Sequence, residues 1–423
     1  MRGAVLHAPS EVRFEDQPSS SRRLPFVIYV LALGTFLMGT AGFVVAGLLP
    51  QIAGDLQVSV ARAGLVITVF AAGMIVGAPL MSMLTLRLPA RWTLVLALGI
   101  FAVGHVVAAL GSSFGLLLAA RFLTVLATGA FWAVANVVAA RAAGPDASSR
   151  AVGVVGSGAM LANVVGVPLG AFAGQLMGWR GPLWVLAVLG AAAMALMARW
   201  VPHESPGREA VSVRSELSAL RSGRLWLVLT ACVTLNAGVL GTYTYITPLL
   251  TDQAGIAAGL VPLVLVGFGG GALVGFLVGG RLGDIRPYTT TILAAASTAV
   301  VLLALGLLSG FAAPTVVLVA LLGLFGFVAT PVLISLGVRF AGRAPTLGSA
   351  LTVSAFNLGT AAGSWIAGLA LDSTFGAAGP ATGGTAVAAL TLVPAITIAL
   401  VQRRRMAPLL VQGTVPTAPG VPV

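Results

Sequence analysis

The chain of 423 residues contains no lysine, so its 23 basic residues are all arginine. It has one cysteine, three histidines and only eleven acidic residues. A lone thiol, Cys232, cannot close an intrachain disulfide, which excludes a cysteine-stapled scaffold. Charged residues make up 8% of the chain and hydrophobic ones 58%, far from the roughly 25% charge of a soluble domain. There is no His/Cys cluster with metal-ligand spacing, no pair of acids within an apolar stretch and no phosphate-cradling glycine loop. Enzyme chemistry, metals and cofactors are therefore not expected. The lack of any sizeable soluble domain argues against ATP-driven work by this chain alone. The net charge of +12 does not indicate nucleic acid, because the arginines are spread over short gaps and form no basic face.

What is present is a series of apolar runs long enough to cross a bilayer as helices. Twelve spans are expected, at about 25–49, 60–84, 92–110, 114–140, 151–174, 181–200, 225–249, 256–280, 288–309, 314–338, 346–370 and 384–402. The arginines fall almost entirely into alternate gaps between them. Arg22 and Arg23 precede the first span, Arg87 and Arg91 follow the second, and Arg141 and Arg150 follow the fourth. Arg199, Arg208, Arg214, Arg221 and Arg224 follow the sixth, Arg281 and Arg286 the eighth, Arg339 and Arg343 the tenth, and Arg403 to Arg405 the twelfth. The remaining gaps hold only Arg62 and Arg180. Loops retained on the cytoplasmic side carry the basic excess, so both termini are expected in the cytoplasm. The small-residue content, 54 glycines, suits close packing of membrane helices.

Residues 1–24 precede any span and read as a cytoplasmic tail. Residues 1–18 resemble the opening strands of medium-chain, alcohol-dehydrogenase-like reductases, so this piece is either a fused scrap or an upstream start, or else an ordinary disordered tail. Residues 202–223 are polar, with Pro202, Pro206, Gly207 and Gly223, and read as a cytoplasmic linker that could hold a short surface helix at 212–221. The linker separates a six-helix half at 25–201 from a second at 224–402, and 403–423 form a C-terminal tail. The halves repeat each other. Pro50 and Pro248 end the first and seventh spans 198 residues apart, and Pro89 and Pro287 are again 198 apart.

Several motifs sharpen this reading. They are Gly47 to Ser59 (GLLPQIAGDLQVS), the second-span exit Gly77 to Leu80 with Arg87 and Arg91, and its second-half copy Gly279, Arg281, Asp284 and Arg286. Three more are Ala119 to Ala133 (AARFLTVLATGAFWA) in the fourth span, Gly166 to Arg180 (GVPLGAFAGQLMGWR) in the fifth and Ala344 to Trp365 in the eleventh. As a set they resemble the major facilitator superfamily, in its bacterial drug:proton antiporter branch, close to chloramphenicol exporters and sugar-efflux transporters. The resemblance implies an all-α membrane fold of twelve transmembrane helices in two pseudosymmetric six-helix bundles. It also implies Arg121 as the arginine linked to proton transfer, Gly166, Pro168 and Gly170 as part of the antiporter signature, and a charge-paired latch made by Arg281, Asp284 and Arg286. Relatives usually carry an acid in the first span. Here Gly39, Thr40, Ala41, Gly42, Phe43 put glycine in its place.

Ionisable groups inside a membrane are functional candidates by default. Arg121 is the one charged side chain placed within a span. It reads either as a switch beside the substrate path or as a structural arginine satisfied by helix-end carbonyls. With Gly42 unable to titrate, the coupling candidates are Arg121, Asp55, Asp252, Asp372 and His105. The three acids sit at the outer ends of spans, where such residues also cap helices or anchor loops. A cavity between the halves is expected to be lined by Thr40, Phe43, Arg121, Thr128, Phe131, Trp132, Asn136, Asn236, Tyr243, Tyr245, Phe325 and Asn357. That mixture of aromatics, amides and hydroxyls suits a small amphipathic molecule. The glycine- and proline-rich fifth span is expected at the contact between halves.

The sequence thus reads as a monomeric, multi-pass secondary transporter of a bacterial inner membrane, exporting small amphipathic molecules with protons as the coupling ion. A chloramphenicol-type drug is the best single guess. Sugar or nucleoside efflux, an uncoupled facilitator and a non-transporting membrane sensor are the alternatives.

Overall fold

The computed structural model describes residues 24–85, 88–202, 218–374 and 376–411. Long apolar segments leave the backbone only one way to satisfy its polar groups in lipid, and they form helices accordingly. Among the described residues, eight helices are long and apolar enough on their own to cross a membrane. They are Ala90–Leu110, Phe114–Ala143, Arg180–Trp200, Gly223–Thr244, Val261–Ile285, Pro287–Leu308, Ala312–Phe340 and the stretch Gly376–Gln402. These correspond to the third, fourth, sixth to tenth and twelfth spans. The other four complete the twelve. The first is Phe26–Val44, the second Leu65–Leu84, and the eleventh Pro345–Leu371, whose apolar run is broken by hydroxyls and Asn357. The fifth is in two pieces, Ser148–Leu161 and Val167–Met177, joined by a π turn at Ala162–Gly166. Pro168 explains the break: it has no N–H to return to the carbonyl four residues earlier.

Helix ends differ from the sequence-based spans in instructive places. The first helix stops at Val44 and continues as a 3-10 turn, Val45–Leu48, and a short helix, Leu49–Asp55. The seventh likewise gives way to Ile246–Pro248 and a π turn, Leu249–Gln253. Pro50 and Pro248 thus break the two repeat-related helices in similar ways. The eighth helix runs to Ile285, beyond the expected Gly280, so Arg281 and Asp284 ride on its last turn and not in a loop. The last helix continues to Val411. Residues 1–23, and with them the reductase-like stretch at 1–18, lie outside the described residues. Of the helix expected at 212–221, only a 3-10 turn at Ser218–Arg221 is described.

Packing divides into two cores. One draws only on residues from Leu24 to Val201, the other only on residues from Ala219 to Ile398. A smaller apolar cluster is shared: Met74, Ala78, Val125 and Ala133 pack with Ala350 and Val353. The tightest approach is within the second bundle, where Gly271, Gly275 and Gly279 lie against the carbonyls of Ala320, Leu324 and Val328. A Cβ at any of the three would strike backbone, so the stripe sets how closely the eighth and tenth helices approach.

Candidate functional site

The site is built around the one arginine that the fourth helix carries deep in the first bundle. Arg121 is 6% exposed. Its Nη1 donates to the Ala41 carbonyl and its Nη2 to the Gly42 carbonyl, each at 2.8 Å. Those carbonyls belong to the last turn of the first helix, where the α pattern gives way to 3-10 and the terminal acceptors lack intrahelical partners. A cation is also favoured at a helix C-terminus by the dipole. The guanidinium lies over the Phe70 ring, 4.8 Å from its centroid. Its Nε is buried without a hydrogen-bond partner. Gly42 therefore meets the guanidinium through its backbone carbonyl. A Cβ at Gly42 would lie 3.0 Å from Phe70 Cζ, so a larger residue there would require the ring to shift by a few tenths of an ångström.

His105, on the third helix, is 3% exposed. Its Nδ1 is 2.7 Å from the Phe101 carbonyl. A carbonyl only accepts, so Nδ1 carries the proton and Nε2 is the position that can gain one. His105, Arg121, Thr124 and Trp179 line one cavity of about 20 Å³, room enough for a water molecule. The structure thus sets the third helix's histidine beside the buried arginine.

The three acids have different surroundings. Asp55 is exposed and pairs with Arg180. It also accepts from Trp179 Nε1 at 3.2 Å, while Arg180 Nη2 donates to the Gly111 carbonyl at 3.1 Å. Asp55 thereby ties together three connections at one end of the first bundle. Asp252 is exposed and accepts from its neighbour Thr251 at 2.7 Å. Asp372 is exposed at the end of the eleventh helix.

The residues expected to line a cavity separate into groups. Phe131 is fully buried in the first bundle's own core, its ring against Gly34. Thr128 donates to the Thr124 carbonyl and Thr40 to that of Phe36, and Thr40 packs on Gly166. These three serve helix packing. Asn136 is buried. Asn236 donates to the Phe356 carbonyl and to Thr360 Oγ1, both at 2.8 Å, fastening the seventh helix to the eleventh. Asn357 donates to the Val353 carbonyl. Tyr243 stacks on Phe268 at 4.0 Å, and Phe268 and Phe276 both meet Phe327. Tyr245 abuts Gly368, and Phe325 is half-buried. The Phe43 side chain and Arg87 lie outside the described residues.

Trp132 packs against both the first core and the cluster shared by the bundles. Among the described residues its Nε1 is buried without a hydrogen-bond partner, as are Thr330 Oγ1 and Ser349 Oγ. An unmet buried polar atom costs about 1–3 kcal/mol, and these three lie on the fourth, tenth and eleventh helices. Thr330 and Ser349 were not legible as candidates in the sequence. Hydroxyls on helices ordinarily bond a carbonyl one turn back, as Thr128 does, and only the coordinates reveal which ones do not.

The two bundles meet at the end that carries the arginine-rich loops. Ser148 and Ser335 exchange a hydrogen bond at 2.7 Å. Gly153 approaches the Phe276 carbonyl and Gly280. Asp284 accepts from the backbone N–H of Ser149 at 2.7 Å and of Arg150 at 3.0 Å. The expected latch between Asp284 and its neighbouring arginines is thus a carboxylate on the N-terminus of a helix from the other bundle, where the dipole favours a negative charge. Arg286, just past the helix end, is exposed, and Arg91 is half-buried at the start of the third helix. Of the fifth-span glycines, Gly153 and Gly156 face the second bundle, whereas Gly158, Gly166, Gly170 and Gly174 face the first span and its extension. Gly77 packs on Leu126 within the first bundle. The Pro168 side chain lies outside the described residues.

Residues 31–364 match the family model described as Major Facilitator Superfamily. The chain is 35% identical over 375 residues to a chloramphenicol resistance protein of Streptomyces lividans, covering 88% of this chain and 96% of that one. It is 28% identical over 255 residues to a probable sugar efflux transporter of Helicobacter pylori, covering 60% and 65%. A crystal structure of the E. coli fucose:proton symporter FucP shares the fold, with a TM-score of 0.74 at 17% identity, over 88% of this chain and 98% of that one.

Proposed function

The chain belongs to the major facilitator superfamily of membrane transporters, and we propose that it exports small, largely neutral amphipathic molecules of the chloramphenicol kind in exchange for protons. The observation that carries the substrate class is the likeness to the Streptomyces lividans chloramphenicol resistance protein along nearly its whole length. The unpaired Trp132 Nε1, between the bundle core and the shared cluster, supports a site that orients such a molecule through a few polar contacts. We place the chain in a bacterial plasma membrane as a monomer, with the arginine-rich end and both termini in the cytoplasm. In that orientation the bundle contacts described above close the cytoplasmic side, and the state is outward-facing.

Proton coupling runs through His105 and Arg121. The acids at the helix ends are exposed or tied into loops, whereas His105 is buried and shares a cavity with the guanidinium. A proton on Nε2 places a second positive charge beside Arg121. The repulsion weakens the arginine's hold on the Ala41 and Gly42 carbonyls and frees the first helix to move. Loss of the proton restores the hold. An efflux-deficient bacterial host expressing the chain is expected to grow at raised chloramphenicol concentrations. Unchanged susceptibility to chloramphenicol, with raised tolerance of an excess of sugars or nucleosides, would favour the sugar-efflux reading instead.

A further inference from the structure

A groove of about 580 Å³ lies where the first, fifth and eighth helices meet, at the arginine-rich end. Its volume is that of a site for an organic ligand, about 300–1,000 Å³. The fifth helix contributes Arg150, Val154, Ser157 and Leu161, which recur every three to four residues and share one face. Val152 and Ala159, on the other side of that helix, are buried. The groove therefore opens on the exposed flank of the fifth helix, where the lining residues Tyr29, Leu33 and Leu161 are exposed as well. Its walls are apolar, including Phe36, Leu273 and Leu277. Its charged groups are Arg150, from the first bundle, and Arg281, from the second. Among the described residues neither guanidinium makes a hydrogen bond; Asp284 accepts from the backbone N–H groups of Ser149 and Arg150 and also attracts the Arg150 charge, which leaves Arg281 without a carboxylate of its own among those residues.

We propose that this groove binds an anionic phospholipid from the leaflet at the arginine-rich end, with the phosphodiester between Arg150 and Arg281 and an acyl chain along the apolar wall. Guanidinium groups pair with phosphate through two parallel N–H donors. A basic pocket between membrane helices is suited to an anionic headgroup. Because the arginines come from different bundles, the bound phosphate bridges them and reinforces the closed contact made by Asp284 and by Ser148 with Ser335. That consequence rests on the transport cycle proposed above; the binding itself does not.

The test uses the purified full-length chain in detergent, with native mass spectrometry and thermal unfolding in the presence of dioleoyl-phosphatidylglycerol, dioleoyl-phosphatidylcholine or inorganic phosphate. The expected result is one tightly held phosphatidylglycerol and a raised Tm, with little effect of phosphatidylcholine or of phosphate alone. Arg150→Gln with Arg281→Gln should weaken phosphatidylglycerol binding roughly tenfold or more, and the paired Lys variants should retain part of it. Leu273→Trp leaves both arginines in place and fills the groove; it should lose the adduct as well, and carries the test if the double Gln variant fails to fold. Equal binding of the two lipids would overturn the proposal, as would an adduct that survives Leu273→Trp. The same Tm shift from phosphate alone would replace the lipid with a free anion.

Discussion

Arg121 holds its place through two backbone carbonyls, and this sets what its replacement should do. Truncation to Ala removes both bonds and leaves the Ala41 and Gly42 acceptors buried, at about 1–3 kcal/mol each. The Arg121→Ala variant is expected to insert, to unfold at lower temperature and to confer no drug resistance; membrane quantification beside susceptibility assays would check this. Lys should rescue poorly, because a single ammonium cannot reach two adjacent carbonyls as a planar fork does. His105→Gln keeps a donor toward the Phe101 carbonyl and removes the titrating nitrogen. Efflux by that variant, measured in vesicles across a range of pH, is expected to lose its pH dependence while drug binding persists. An unchanged pH profile would move the coupling elsewhere. The arginine itself was visible in the sequence as a charge in an apolar run. Its partners were not, because carbonyls leave no mark on side-chain identity and Gly42 looked only like a missing acid.

At the scale of elements, the informative features are the helix interruptions and the helix ends. Pro168 and its π turn, and the broken ends of the first and seventh helices, were foreseeable from proline positions. The extension of the eighth helix to Ile285 was not, since hydropathy marks where a helix leaves the apolar layer and not where it stops. That extension matters: it delivers Asp284 to the N-terminus of the fifth helix in the other bundle. Asp284→Asn removes the charge that complements that dipole, an effect of about 0.3–2 kcal/mol. The bundles should then part more readily at this end. Spin labels at Gln57 and Gln253, on exposed segments at the opposite end of the two bundles, are expected to show a growing population at shorter separation in Asp284→Asn. An unaltered distance distribution would show that the contact does not hold the state.

For the whole molecule, the arginine alternation and the 198-residue repeat made the crossing number readable before any coordinates, and the motif resemblance pointed to the family. The pathway between the halves was less readable, because a residue on a span can face its own bundle as Phe131 does, or the other bundle, and composition does not distinguish the two. The orientation makes a direct prediction. After replacement of the buried Cys232, a cysteine at Gln253 should react with an impermeant thiol reagent on intact cells, and one at Arg221 only after lysis. Labelling of Arg221→Cys from outside would invert the topology. The most direct test of the central claim is drug transport by the purified chain in proteoliposomes, with and without an imposed pH gradient. The account predicts chloramphenicol movement against its own gradient, driven by the pH difference, abolished when that difference is collapsed, and reduced in His105→Gln to simple equilibration. Transport that only equilibrates the drug in the unaltered protein, indifferent to the pH gradient, would contradict it.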